Sequence, residues 1–186
     1  MMERGDLIFL LCDGSEFSKA IVAASAPELL LDHVGIVDET EQGFFVIEAN
    51  SKLGVVATPL SDFIARAPHL EEGKGWRLRR LSGNSGVDVR KSVERARKRI
   101  GEAYNWRFVP TKGALYCSEL VQKCYLRNDG SPFFKSIRMD FDCDDVDCRR
   151  FWQQHFASLG MAVPQGEEGT SPLSVYEQTI ETDSIL

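Results

Sequence analysis

Residues 113–125 read GALYCSELVQKCY, and the rest of the chain is organised around them. From Cys117 the apolar residues Leu120, Val121 and Cys124 follow at a spacing of three, four and seven. That spacing makes one helical face and predicts a loop turning into a helix at the cysteine. Cys117 then falls in the first turn, with its sulfur on the inward side. Unpaired backbone N–H groups and the positive end of the helix dipole favour a thiolate there. The plainer account of a free cysteine is a small buried hydrophobe. A catalytic reading needs a histidine brought close by the rest of the fold.

The whole chain has 186 residues, enough for one domain with a full core. Residues 1–186 are expected to form that single domain, with a core over 5–159 and a turn-rich tail over 160–186. A net charge of −6 argues against a general nucleic-acid binder. The five cysteines show no regular spacing and predict no disulfide framework, which with the lack of a signal-like N-terminus points to a reducing, cytoplasmic setting. No apolar run approaches the length of a membrane span. No cluster offers three metal ligands at plausible spacing, so neither metal nor cofactor is expected.

Taken in order, Leu7–Cys12 is an apolar run that reads as a buried strand. Asp13 and Glu16 have capping-box spacing, ahead of a stripe of Phe17, Ala20, Ile21 and Ala24 that Pro27 closes. This helix is expected simply to pack on the sheet. Asp32–Asp38 (DHVGIVD) and Gly43–Asn50 (GFFVIEAN), joined by a short polar turn, predict an antiparallel hairpin. Gly54–Thr58 adds a third strand, and Ser61 is placed as the N-cap of a short helix. Trp76–Leu81 alternates as a strand, and Val87–Ile100 is a helix ended by Gly101. The arginines and lysines on its outer face, from Arg90 to Arg99, read as a solvated face. A last helix is capped by Asp144 or Asp145 and runs to Leu159. The remainder reads as a strap or a frayed end.

A thiolate nucleophile needs an imidazole to hold the proton and return it. His155 lies on the apolar face of the late helix and reads as a core residue, while His69 sits in a polar connection. His33 opens a strand whose Val34 and Ile36 are apolar, so its ring can face a cleft at the sheet edge. A third group should orient that ring through its far nitrogen. Glu48 stands within the apolar run Phe44–Ala49 of the paired strand, where an unpaired carboxylate is costly. Asn50 and Asp32 are the alternatives.

Together DHVGIV, FVIEA, GEAYN and LYCSELV resemble the circularly permuted branch of the NlpC-type, papain-like cysteine peptidases, the YiiX-like proteins. In the unpermuted family a GxxY segment leads to a Cys-Ser pair at a helix start, and the histidine strand follows. Here Gly101–Tyr104 and Cys117-Ser118 match those segments, and the HVGI strand precedes them. The tail PQGEEGTSP at 164–172 is also similar to YiiX-like chains.

The resemblance implies an α+β, circularly permuted papain-like fold, with a central antiparallel sheet packed against the nucleophile helix. It implies Cys117 as nucleophile, His33 as general base and acid, and Glu48 as the orienting residue. Tyr104 and Tyr116 would contact substrate; Tyr116 stands where the unpermuted peptidases usually carry Asp. The implied activity is a cysteine-dependent amidase or peptidase acting on a small peptide-like or N-acyl substrate. An acyltransferase or thioesterase, or a binding module with an inert Cys117, are the rival readings. Cell-wall peptide cleavage does not carry over automatically.

Overall fold

Strand β1 (Leu7–Leu11) is apolar at every position because both faces of its sheet are covered. Leu7 and Phe9 enter one core cluster, and Ile8 and Leu10 enter another on the opposite face. The computed structural model describes residues 1–24 and 29–180, so Pro27 lies outside the described residues. The five-stranded sheet also contains β2 (Leu31–Thr40), β3 (Gly43–Asn50), β4 (Gly54–Pro59) and β5 (Trp76–Arg79). Their order is β4-β3-β2-β1-β5, antiparallel throughout.

Helix α1 (Glu16–Ala23) packs against β2 and against a late helix, α5 (Val146–Ser158). Its N-cap is Ser15, which accepts from the Ser18 N–H; Asp13 instead accepts from the Ser15 N–H. The capping expectation was therefore misplaced by two residues. Helix α2 (Leu60–Ile64) follows β4 with Pro59 as its N-cap, so Ser61 is already helical. Helix α3 (Val89–Arg97) is capped by Asp88, and Ile100 beyond it is exposed. Its cations are largely tied down, Arg97 to Asp38 and Arg99 to Glu102.

Two short strands, β6 (Ala103–Tyr104) and β7 (Ala114–Leu115), pair in parallel and deliver the chain into α4 (Cys117–Cys124). β6 also abuts the outer strand β4. Gly54 makes that approach possible. Its φ is +76°, and a Cβ there would lie 2.3 Å from the Glu102 carbonyl oxygen. Gly54→Ala is expected to cost about 1–3 kcal/mol of stability, read as a lower midpoint in urea.

Beyond α4, a small ladder joins β8 (Ile137–Arg138) to β9 (Glu168–Gly169). Cys143 and Cys148 form a disulfide across the turn that enters α5, which Asp145 caps. The irregular cysteine spacing had argued against any disulfide, because a loop this short resembles no framework. With it goes the argument for a reducing compartment.

The tail differs most from expectation. Pro172–Ile180 is a helix, α6, and its Leu173, Val175 and Tyr176 belong to the main core. It rests on β2 and α4. The core thus extends past residue 159. The start of α6 is held reciprocally: the Ser174 N–H donates to Ser171 Oγ at 3.1 Å, and the Ser171 N–H donates to Ser174 Oγ at 2.9 Å. Ser-Pro-x-Ser was the available signal, an N-cap serine followed by proline at the first helical position. Ser171→Ala should cost about 1 kcal/mol, measurable by chemical denaturation.

Candidate active site

Register brings two of the expected site residues together. β2 and β3 pair Ile36 with Ile47 and Val37 with Val46. One further step sets Gly35 opposite Glu48, and His33 becomes a diagonal neighbour of Glu48 on the same face. Gly35 has no side chain to fill the gap; a Cβ there would lie 2.3 Å from Val46 Cγ1. The His33 Nε2 and Glu48 Oε2 atoms stand 2.5 Å apart.

Glu48 is fully buried, and its carboxylate is satisfied from several directions. Thr58 Oγ1 donates at 2.6 Å, and the Arg66 guanidinium donates to both oxygens at 2.6 and 2.7 Å. Burial alone would raise its pKa. The bonds and charges of His33 and Arg66 prevail and hold it down at about 2. Neither Thr58 nor Arg66 stood out in the sequence. The only hint was an arginine in the otherwise apolar stretch Phe63–Ala67.

Asp32 and Asn50 are engaged elsewhere. Asp32 accepts from the Ser18 hydroxyl, and Asn50 accepts from the Lys52 and Leu53 N–H groups. His155 is a core residue whose Nε2 meets the Trp106 carbonyl at 2.7 Å. His69 is exposed.

With Nε2 committed to Glu48, the other ring nitrogen of His33 is left for Cys117, which is close enough to raise the pKa of the imidazole. Burial would depress the pKa of His33. Bonds to Cys117 and Glu48, with the charges of both, outweigh burial and raise it to about 10.

Cys117 is the first residue of α4 and is nearly buried. The N-cap, Tyr116, offers no side-chain bond to the helix start. Its hydroxyl instead accepts from the Thr170 N–H at 3.0 Å. Burial pushes that phenol up to about 12. Burial likewise pushes Tyr104 well up, helped by the charge of Cys117.

Cys117 and His33 line separate hollows. One is a pocket lined by Cys117, Ser118, Tyr116, Phe108, Phe141 and Trp152, among others. The other is a cleft lined by His33, Tyr104, Trp106, Asp32, Lys52 and Arg66, among others. Phe133 and Phe134 belong to the core. Ser118 is fully buried, and its hydroxyl has no hydrogen-bond partner among the described residues. Such an orphan costs about 1–3 kcal/mol, and Ser118 lines the pocket beside the nucleophile candidate.

The sequence pattern of the permuted papain-like amidases, YaeF/YiiX, C92 family, matches residues 1–180. This chain belongs to that family. The uncharacterised protein YiiX of Escherichia coli strain K12 is 28% identical over 177 residues, covering 94% of this chain and 82% of YiiX. A crystal structure described as the metalloprotein yiiX of Escherichia coli O157:H7 superposes with a TM-score of 0.76. It is 26% identical, covering 99% of this chain and 96% of that one. Among the described residues here, no group of three or more His, Cys, Asp or Glu side chains is placed to hold a metal ion. No described helix is long and apolar enough to cross a membrane.

Proposed function

We propose that this chain is a cysteine amidase in which Cys117 is the nucleophile, His33 the general base and acid, and Glu48 the residue that orients the imidazole. The observation that carries the reading is the position of His33, whose Nε2 is held 2.5 Å from the buried, fully satisfied Glu48 and whose pKa is raised by the nearby Cys117. Membership of an amidase family supports the reaction class. A small peptide-like or N-acyl amide is the substrate.

In the acylation step the Cys117 sulfur attacks the amide carbonyl and a C–S bond forms. The C–N bond breaks as the leaving nitrogen takes the proton held by His33. Water then attacks the thioester and gives its proton to His33. The C–S bond breaks, and a carboxylic acid leaves. The Cys117 N–H, in the uncapped first turn of α4, donates to the oxyanion. An amine or alcohol in place of water would give the transferase reading, distinguished by the products formed when such an acceptor is added.

The test is alkylation by iodoacetamide across a pH series, read by mass spectrometry, in the parent and in His33→Ala. Cys117 is expected to react at pH 6–7 ahead of Cys12 and Cys124 and to lose that lead without His33. Burial pushes the Cys124 thiol up to about 12, so it serves as the inert control. A Cys117 indifferent to His33 would overturn the proposal in favour of a binding module.

Tyr104 is assigned a substrate-facing role in the cleft. Its ring packs on Trp106 with centroids 4.8 Å apart, which fixes its position without the hydroxyl. Tyr104→Phe is expected to lower kcat/KM about tenfold, in keeping with the loss of one hydrogen bond of about 1.4 kcal/mol to the reacting group. Unchanged kinetics would remove the hydroxyl from the mechanism.

A further inference from the structure

Three side chains from one short stretch of chain close around the imidazole–carboxylate pair. Thr58 is in β4, Phe63 is in α2, and Arg66 follows α2. Phe63 is fully buried, and its ring centroid lies 5.7 Å from that of His33. The Arg66 guanidinium carbon sits 4.9 Å from the centroid of the same Phe63 ring. One buried ring therefore sets the place of both the imidazole and the guanidinium.

Arg66 reaches Glu48 through a single nitrogen. Nη2 stands 2.6 Å from Oε1 and 2.7 Å from Oε2. Oε1 also accepts from Thr58, and Oε2 faces His33 Nε2. Arg66 lines the cleft with 38% of its side chain exposed, whereas Glu48 is fully buried. The charged groups that face Glu48 are His33 from β2 and Arg66. His33 in turn faces Cys117 from α4, and Asp32, beside it in β2, also feels its charge. Of the two cations at Glu48, only the guanidinium keeps its charge through every step of proton transfer.

That permanence matters for the tautomer. An ionised carboxylate only accepts hydrogen bonds, but a protonated one can donate. A protonated Glu48 could donate to Nε2, and a neutral His33 would then carry its hydrogen on the nitrogen left for Cys117. Such a ring cannot take the thiol proton. Burial works toward protonation of Glu48, and the bonds and charges of His33 and Arg66 oppose it.

We propose that Arg66 is a positioning residue: its guanidinium keeps Glu48 an acceptor on both oxygens, so that His33 donates from Nε2 and leaves its other nitrogen for Cys117. This rests on the proposed Cys117–His33 chemistry.

The test follows the rate of Cys117 alkylation by iodoacetamide against pH in the parent, Arg66→Gln, Arg66→Lys, Glu48→Gln and the Arg66→Gln/Glu48→Gln double variant. Urea midpoints are measured alongside. Arg66→Gln is expected to move the acid limb up by about one pH unit, which is about a tenfold loss of rate on that limb. Arg66→Lys keeps the cation but not the reach of the guanidinium, and should shift the limb in the same direction by less. In the Glu48→Gln background, Arg66→Gln should change the rate by less than about twofold, because the group it acts through is already neutral.

A parent-like acid limb in the folded Arg66 variants would overturn the proposal, even with a lowered urea midpoint, since that is a structural effect alone. An equal loss in both backgrounds would also overturn it, because Arg66 would then act without Glu48. Either result leaves the nucleophile in place. A parent Cys117 that shows no lead over Cys12 and Cys124, or keeps its lead in His33→Ala, would instead remove the catalytic reading and this inference with it.

Discussion

His33→Ala is expected to lower amidase turnover by about 10²–10⁴-fold, the usual contribution of a positioned general acid–base group. The fold should survive, because His33 stands near the end of β2 with 16% of its side chain exposed. Cys117 and the pocket beside it remain, so substrate binding should change little and the loss should fall on kcat. The pH profile separates this from a structural effect. In the parent the imidazolium is held up to about 10, against an ordinary value of 6.5, by its bonds to Cys117 and Glu48. The variant should lose the alkaline limb that the histidine produces. A variant with the parent profile and undiminished kcat would show that another group moves the proton.

Glu48→Ala should be the most destabilising change at the site, by about 3 kcal/mol. Removing one partner of a buried ion pair costs roughly 3–5 kcal/mol. The lower end applies because Arg66 keeps 38% of its side chain in solvent and can rehydrate. The carboxyl sits at about 2 in the fold against an ordinary 4.5. Its contribution is therefore complete above pH 4.5 and is lost as pH falls toward 2. The contribution of His33 runs the other way. It is complete below pH 6.5 and is lost as pH rises toward 10. Both are at full strength only between about 4.5 and 6.5. Denaturant unfolding at pH 3, 5.5 and 9 should give a gap between parent and variant that narrows on the acid side. A gap that stays constant from pH 5.5 to 3 would mean that packing, and not charge, accounts for Glu48.

Much of this arrangement could be read from the sequence because the relevant signals are periodic. Leu120, Val121 and Cys124 fixed the face of α4, and all three are completely buried. Two β-rich runs joined by a short polar turn marked the hairpin, and its register in the fold brings His33 to Glu48. What stayed hidden depends on contacts between segments far apart in the chain. Arg66 follows a five-residue helix, and nothing local reveals that it turns back to Glu48. The Cys143–Cys148 bond closes a turn too short to carry any spacing pattern. Helix α6 was masked by the glycines and prolines before it, although Ser171-Pro172 marked its start. The capping position of α1 was misread because Asp13 and Ser15 are both good caps, and only the backbone conformation chooses between them.

The place of α6 has a consequence for how the protein is made. Its residues touch both β2, which carries His33, and α4, which carries Cys117. The hairpin emerges from the ribosome early, and the cysteine segment follows much later. The helix that braces both elements follows both of them in the chain. During synthesis the thiol and the imidazole exist on the same nascent chain without the element that holds their supports together. Bringing the supports of His33 and Cys117 together therefore waits until α6 has been made.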